Sequence, residues 1–155
     1  MTQKIKILAM DVDGTLTDGK IYMGAEGELC KAFHIKDGLG IVKLKKHGII
    51  PVIITGRVSQ IVANRAKELG IEEVYQGVED KGAVLKELVN KYGITLDKTA
   101  YIGDDCNDLG VMEAAGITFA PADAVREVRE YVDVTVDSRG GEGAVRDVVE
   151  YLLKM

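Results

Sequence analysis

Apolar residues along this chain come in short runs separated by longer stretches with helical spacing. The runs 5–10, 49–54, 73–75, 100–102, 117–119 and 132–136 are too short for helices and rich in Ile and Val, so they predict buried strands. Between them, the stretch 58–69 is closed by Gly70, 81–92 by Gly93 and 107–115 by Gly116, glycine being the common stop residue just past a helix. Within 81–92, Val84, Leu85, Leu88, Val89 and Tyr92 share one face. A closing helix over about 143–153 gathers Val145, Val148, Val149, Leu152 and Leu153 in the same way.

Regular strand–helix alternation predicts an α/β fold, a Rossmann-like parallel sheet with helices on both faces. One segment departs from the rhythm. Residues 20–23 and 29–33 flank Gly24-Ala25-Glu26-Gly27 and read as a β-hairpin, inserted over about 19–34 after the first strand. No repeat, low-complexity tract or linker interrupts the chain, so residues 1–155 read as a single domain.

Composition narrows the function classes. A chain of 155 residues with 46% hydrophobic and 29% charged residues can bury a core without metal or disulfide staples. A net charge of −5, no basic block and no tryptophan argue against nucleic acid as a partner, while a small anionic ligand stays compatible because local charge can oppose the global sign. No apolar run approaches a membrane span, and Lys4 and Lys6 interrupt any signal-peptide pattern in residues 1–10, so a cytoplasmic location is expected. Cys30 and Cys106 have no motif spacing and are expected to be free thiols, buried or partly buried.

In parallel α/β sheets, ligands collect at the carboxyl ends of the strands. The polar clusters of this chain fall there. Asp11-Val12-Asp13-Gly14-Thr15 follows the first run, Thr55-Gly56-Arg57 the second, and Gly103-Asp104-Asp105-Cys106-Asn107-Asp108 the run 100–102. A carboxylate that attacks a phosphate ester must overcome like-charge repulsion, and a divalent cation between the two removes it. Acyl phosphates hydrolyse readily, so a carboxylate nucleophile splits one hard step into two. A second carboxylate two residues on can protonate the leaving oxygen and then activate water. The Thr55 hydroxyl and the Gly56 amide can hold a phosphoryl oxygen without adding charge. Lys81 opens a helix, the end where its charge opposes the helix dipole, and a nearby anion would explain that placement. Three acids in 104–108 exceed what one N-cap by Asp105 or Asn107 requires, and hard oxygen ligands suit Mg²⁺.

Together these signals resemble the haloacid dehalogenase superfamily, whose four motifs correspond to Asp11-x-Asp13-Gly14-Thr15, Thr55, Lys81 and Gly103-Asp104-x-x-x-Asp108. The resemblance implies Asp11 as nucleophile and Asp13 as general acid/base. It implies Mg²⁺ held by Asp11, the Asp13 carbonyl and Asp104, with Thr55 and Lys81 on the transferring phosphoryl group and Asp108 orienting from behind. A narrower set, Asp18-Gly19-x-Ile21-Tyr22, the run from Lys31 through Gly38, and Gly140-Gly141-x-Gly143-Ala144-Val145-Arg146, resembles the 3-deoxy-D-manno-octulosonate 8-phosphate phosphatases. That likeness implies an aspartyl-phosphate phosphomonoesterase in lipopolysaccharide precursor synthesis. Its expected substrate contacts are Asp13, His34, Ile35, Lys36, Asp37, Gly38, Val42, Gly56, Arg57, Arg65 and Lys81. Val42 stands where such enzymes commonly carry a basic residue, with Lys43 beside it.

Gaps between the motifs hold only a hairpin and one βα unit, too little for a cap domain. The resemblance therefore implies a homotetramer joined through the hairpins, with the glycine-rich segment 139–143 reaching a neighbour's site. Two rivals belong to other classes. A receiver domain would place its acceptor Asp after the third strand, where this chain has Tyr75-Gln76-Gly77, and a silent assembly module would not need the full acid set. Within the enzyme class, the alternative is a phosphatase for nine-carbon, sialic-acid-type 9-phosphates or for a broader range of sugar phosphates.

Overall fold

Strand β1 (Ile7–Met10) has every residue buried, and its alternation divides the molecule. Leu8 and Met10 point into one apolar layer, Ile7 and Ala9 into the other. This is a computed structural model, and it describes residues 4–155, so the first three residues of the expected span lie outside the description.

After β1 come the hairpin strands β2 (Tyr22–Gly24) and β3 (Gly27–Cys30), then α1 (Ile35–Lys46), β4 (Ile50–Ile54), α2 (Gln60–Leu69), β5 (Glu73–Tyr75) and α3 (Lys81–Tyr92). The second half runs β6 (Thr99–Ile102), α4 (Leu109–Ala114), β7 (Ile117–Ala120), α5 (Arg126–Tyr131), β8 (Val134–Thr135) and α6 (Ala144–Leu153). Six strands form one parallel sheet in the order β5-β4-β1-β6-β7-β8, and β2 and β3 pair separately. Helices α1, α2 and α6 supply Ile41, Leu44, Val62, Ala66, Val145 and Val149 to one layer. Helices α3, α4 and α5 supply Leu85, Leu88, Val111, Met112 and Val128 to the other.

The expected parallel sheet with helices on both faces is therefore present, as is the hairpin. From β1 the sheet grows outward through β4 to β5, and the chain then returns to lay β6 on the other side of β1. That reversal opens a crevice beyond the carboxyl ends of β1 and β6. Burial of Leu85 and Leu88, each worth about 1.5–3 kcal/mol, fixes α3 against the sheet with its amino end at that crevice.

Several details differ from the sequence expectation. The hairpin is tighter, with Gly24 paired to Gly27 across the two residues Ala25 and Glu26, so both glycines belong to strands. Gly70 and Gly93 end their helices in the left-handed conformation, as expected. Gly116 does not. Helix α4 ends at Ala114, and Gly116 is needed instead because a Cβ there would lie 2.4 Å from the Asp97 carbonyl oxygen. The stretch 107–115 splits into a 3-10 turn, Cys106–Asp108, and α4. Both cysteines are unpaired but exposed, which corrects their expected burial. No helix among the described residues is long and apolar enough to cross a membrane.

Candidate active site

The alternation of β1 continues one step past its end. Asp11 follows Ile7 and Ala9 on the side of the sheet covered by α3 and α4, and its N–H donates to the Ile102 carbonyl at 3.1 Å. Lys81 is the first residue of α3, whose N-cap is Asp80, and Asp108 closes the turn before α4. These three residues meet beneath the crevice. Lys81 Nζ lies 3.0 Å from Asp11 Oδ1 and 2.8 Å from Asp108 Oδ1, with all three side chains nearly or wholly buried. The awkward start of α3 thus has its explanation, since two carboxylates answer the lysine.

Asp108 is saturated. The Tyr101 hydroxyl and Lys81 donate to Oδ1, and the backbone N–H groups of Asp104 and Asp105 donate to Oδ2 at 3.0 and 3.3 Å. One oxygen from each of Asp11, Asp104 and Asp108 lies within 4.8 Å of the others, the spacing of a metal-ligand set. With both Asp108 oxygens already occupied by donors, the ligating capacity rests on Asp11 and Asp104.

Charge repulsion within this set is visible in its protonation. Burial, then the Asp108 charge, pushes the Asp11 carboxyl up to about 6 against the opposing pull of Lys81. Burial, then the charge of Asp11, pushes Asp104 up to about 8. Burial alone would lower Lys81, but its two carboxylate partners outweigh this and hold it above its usual value. Two buried carboxyls that repel each other, both offering hard oxygens, fit a divalent cation. The backbone also makes room for them. Gly14 has φ +86°, and a Cβ there would lie 1.9 Å from Asp104 Oδ2.

Above this floor opens a cleft of about 260 Å³ lined by Asp11, Asp13, Gly19, Thr55, Gly56, Arg57, Asp104, Asp105 and Asn107. Thr55 continues β4 by donating its N–H to the Tyr75 carbonyl at 2.9 Å and is almost fully buried. It does not cap α2, a role taken by Ser59. Arg57 Nε stands 3.8 Å from Asp13 Oδ2. The structure thus brings together Asp11, Asp13, Thr55, Gly56, Arg57 and Asp104, with Lys81 and Asp108 beneath.

The remaining predicted sugar contacts do not line this cleft within one chain. His34, Asp37, Gly38 and Arg65 border a separate, nearly filled apolar crevice. His34 caps α1, its Nδ1 accepting the Lys36 N–H at 3.1 Å. Asp37 is buried, its Oδ1 accepting the Arg146 N–H at 2.9 Å while Oδ2 has no partner. Gly38 leaves room for the Arg65 guanidinium, which stacks over Phe33 at 5.5 Å. Only Ile35 and Lys36 are exposed, and Val42 is half-buried on α1.

Within the chain, the glycine-rich segment packs against the loop that follows the nucleophile. A Cβ on Gly140 would fall 1.9 Å from the Gly14 carbonyl oxygen, and one on Gly141 2.4 Å from the Asp18 nitrogen. The Gly141 N–H donates to the Thr15 carbonyl at 3.1 Å. These glycines press on their own chain's 14–18 loop and brace it.

Lys31 was missed as an individual residue. Its side chain is fully buried at the base of the hairpin, with Nζ 2.6 Å from Asp13 Oδ1 and 2.9 Å from Glu28 Oε2. Its one sequence signal was membership of the run from Lys31 through Gly38.

Comparison with known proteins accords with this geometry. Residues 73–148 match the family model described as haloacid dehalogenase-like hydrolase. The chain is 42% identical over 151 residues to the 3-deoxy-D-manno-octulosonate 8-phosphate phosphatase of Escherichia coli, covering 97% of this chain and 80% of that protein. Its structure is similar to that of the Moraxella catarrhalis 3-deoxy-D-manno-octulosonate 8-phosphate phosphatase in complex with magnesium, phosphate and KDO. The TM-score is 0.94 at 47% identity, over 98% of this chain and 87% of that one. The cobalt-bound Haemophilus influenzae enzyme gives a TM-score of 0.95 at 40% identity, over 98% and 89% of the two chains. The chain belongs to the 3-deoxy-D-manno-octulosonate 8-phosphate phosphatase family of haloacid dehalogenase-like hydrolases.

Proposed function

We propose that this protein is a Mg²⁺-dependent phosphomonoesterase that releases phosphate from 3-deoxy-D-manno-octulosonate 8-phosphate, a step of lipopolysaccharide precursor synthesis, in the cytoplasm. The observation that carries the chemistry is the buried Asp11 set between Lys81 and Asp104 at the switch point of the sheet. Relatives 42% and 47% identical to this chain act, by their names, on that sugar-acid phosphate.

Asp11 and Asp104, with the Asp13 carbonyl, would hold the metal, which when bound neutralises the phosphate charge facing the attacking carboxylate. Lys81 and the Thr55 hydroxyl, with the Gly56 amide, hold the phosphoryl oxygens. An Asp11 oxygen attacks phosphorus as the bond to the sugar oxygen breaks, and Asp13 gives its proton to that leaving oxygen. Asp13 then takes a proton from water as the water attacks phosphorus, releasing inorganic phosphate and restoring Asp11. Asp108 keeps Lys81 and the 104–105 amides in place throughout. Arg57 stands at the cleft wall, where it can meet the carboxylate of a sugar acid.

The working form in this reading is a homotetramer. Exposed apolar side chains crowd the hairpin and the adjoining helix starts: Met23 at 61%, Leu29 at 67%, Ile35 at 81%, Leu39 at 63% and Val58 at 78% exposed. Association through this surface offers a way for the His34–Lys36 edge of one protomer to meet a neighbour's cleft. Two exposed, unpaired cysteines agree with a reducing compartment.

Rapid-quench with the labelled substrate and Mg²⁺ tests the chemistry. An acid-stable, hydroxylamine-sensitive phosphoryl group on Asp11 is expected, and its absence would refute the mechanism. Turnover of the eight-carbon substrate should exceed that of nine-carbon acid 9-phosphates, and the reverse order would reassign the substrate. Light scattering that finds a fully active monomer would remove the tetramer.

A further inference from the structure

We propose that Lys31 and Glu28, on the inserted hairpin, are positioning residues that set which oxygen of Asp13 faces the reacting ester. The inference rests on the acid/base reading of Asp13 given above.

Asp13 sits in a turn beyond β1 and is only partly buried, so the strand does not fix its carboxylate. The hairpin does. Lys31 Nζ engages Oδ1 at 2.6 Å, which leaves Oδ2 as the oxygen free to carry and deliver a proton. Oδ2 also lies on the side of Arg57, whose Nε is 3.8 Å away. Lys31 is held in turn. Its ammonium lies 2.9 Å from Glu28 Oε2, and the other Glu28 oxygen accepts the Ser59 hydroxyl at 2.6 Å. Ser59 caps α2, its Oγ accepting the Val62 N–H at 3.4 Å, and its own N–H donates to Gln76 Oε1 at 2.8 Å. A continuous polar chain thus runs from the N-cap of α2 through Glu28 and Lys31 to Asp13.

The protonation of this chain agrees. The Ser59 hydroxyl leads in holding the Glu28 carboxyl below its usual range. A lysine with a side chain wholly shielded from water would be a poor choice for a hairpin that served assembly alone. Its position is explained if the ammonium has work at Asp13.

The discriminating readout is leaving-group dependence. A sugar alkoxide needs a proton to depart, whereas p-nitrophenolate leaves as a stable anion, so a misplaced acid slows only the first. Single-turnover phosphorylation of Asp11 would be timed with 3-deoxy-D-manno-octulosonate 8-phosphate and with p-nitrophenyl phosphate, for wild type, Lys31→Met, Lys31→Arg, Glu28→Gln and Asp13→Asn. Lys31→Met is expected to slow the sugar phosphate by about 30-fold and the aryl phosphate by less than about threefold, a fraction of what general acid catalysis contributes. Lys31→Arg should recover most of the loss, and Glu28→Gln should show a smaller loss with the same preference. Equal slowing of both substrates by Lys31→Met and Glu28→Gln, or no slowing, overturns the proposal while an alkyl-selective loss in Asp13→Asn leaves the acid/base reading standing. If Asp13→Asn itself shows no such selectivity, the acid/base reading falls first and takes the proposal with it.

Discussion

The cleft around Asp11 and the edge at His34–Gly38 both sit at the carboxyl end of the sheet, yet they are built on different principles. At the cleft, side chains from four separate elements converge on one another, and their charges are only partly compensated: Asp11 and Asp104 are pushed up to about 6 and about 8. At the edge, the same kinds of residue are committed to the fold. His34 caps a helix, Asp37 receives an amide from α6, and Arg65 stacks on Phe33. Unresolved electrostatic conflict marks the first region as a place awaiting ligands. Capping, backbone and stacking contacts mark the second as mostly scaffold, with the buried Asp37 Oδ2 left without a partner, and its exposed rim is the part open to a substrate.

Asp11→Asn should separate the regions most sharply. Turnover is expected to fall by at least about 10⁴-fold for every phosphate ester, as when a nucleophile is removed, with the circular dichroism spectrum unchanged. Residual activity above that level would show that the cleft does not depend on this oxygen. Next in size, Arg57→Ala should cost about tenfold in kcat/KM for the sugar-acid phosphate and less than about threefold for p-nitrophenyl phosphate. Equal losses would place Arg57 with the phosphoryl machinery and erase the distinction between chemistry and recognition.

The protonation of the cleft predicts a pH effect on stability. Asp11 and Asp104 bind protons more tightly in the folded protein than the ordinary value near 3.8, so folding takes up protons between that value and the raised ones. Metal-free protein should therefore lose stability as pH rises from about 4 through 6 and toward 8, by up to about 1.4 kcal/mol per pH unit for each proton involved. Saturating Mg²⁺, which competes with those protons, should flatten the slope in urea titrations. A slope of the opposite sign would mean that the carboxyls are not in conflict. The smallest effect belongs to the edge: Asp37→Asn should change p-nitrophenyl phosphate turnover by less than about twofold and stability by about 1 kcal/mol or less. A large loss of turnover would move Asp37 out of the scaffold.

Much of this contrast was legible in the sequence, and the exceptions have physical causes. The strands and α3 were readable because β1 is apolar on both faces and α3 carries a clean stripe ended by Gly93. Helix α1 was not delimited, since Gly38 and Gly40 dilute its pattern and its buried apolar stripe reduces to Ile41 and Leu44. Helix α5 was missed because six residues with Val128 as the one buried position leave almost no periodicity. The cluster of acids and Lys81 could be read because each lies at a strand end or a helix start. Lys31 could not be singled out, because its partner Asp13 is eighteen residues away and the pairing exists only once the hairpin folds back. The same limit applies to the edge: sequence likeness names residues, but whether Asp37 faces a sugar or the interior is decided by how α1 and α6 pack.

The contact between the glycine pair and the 14–18 loop has a consequence for how this protein can change. Backbone atoms of the segment just before α6 stand where a methyl group would overlap main-chain atoms beside the nucleophile, with no flexible side chain able to yield. A side chain at either position 140 or 141 would thus have to displace the main chain of the loop that follows the nucleophile, which ties the lead-in of the closing helix directly to that loop.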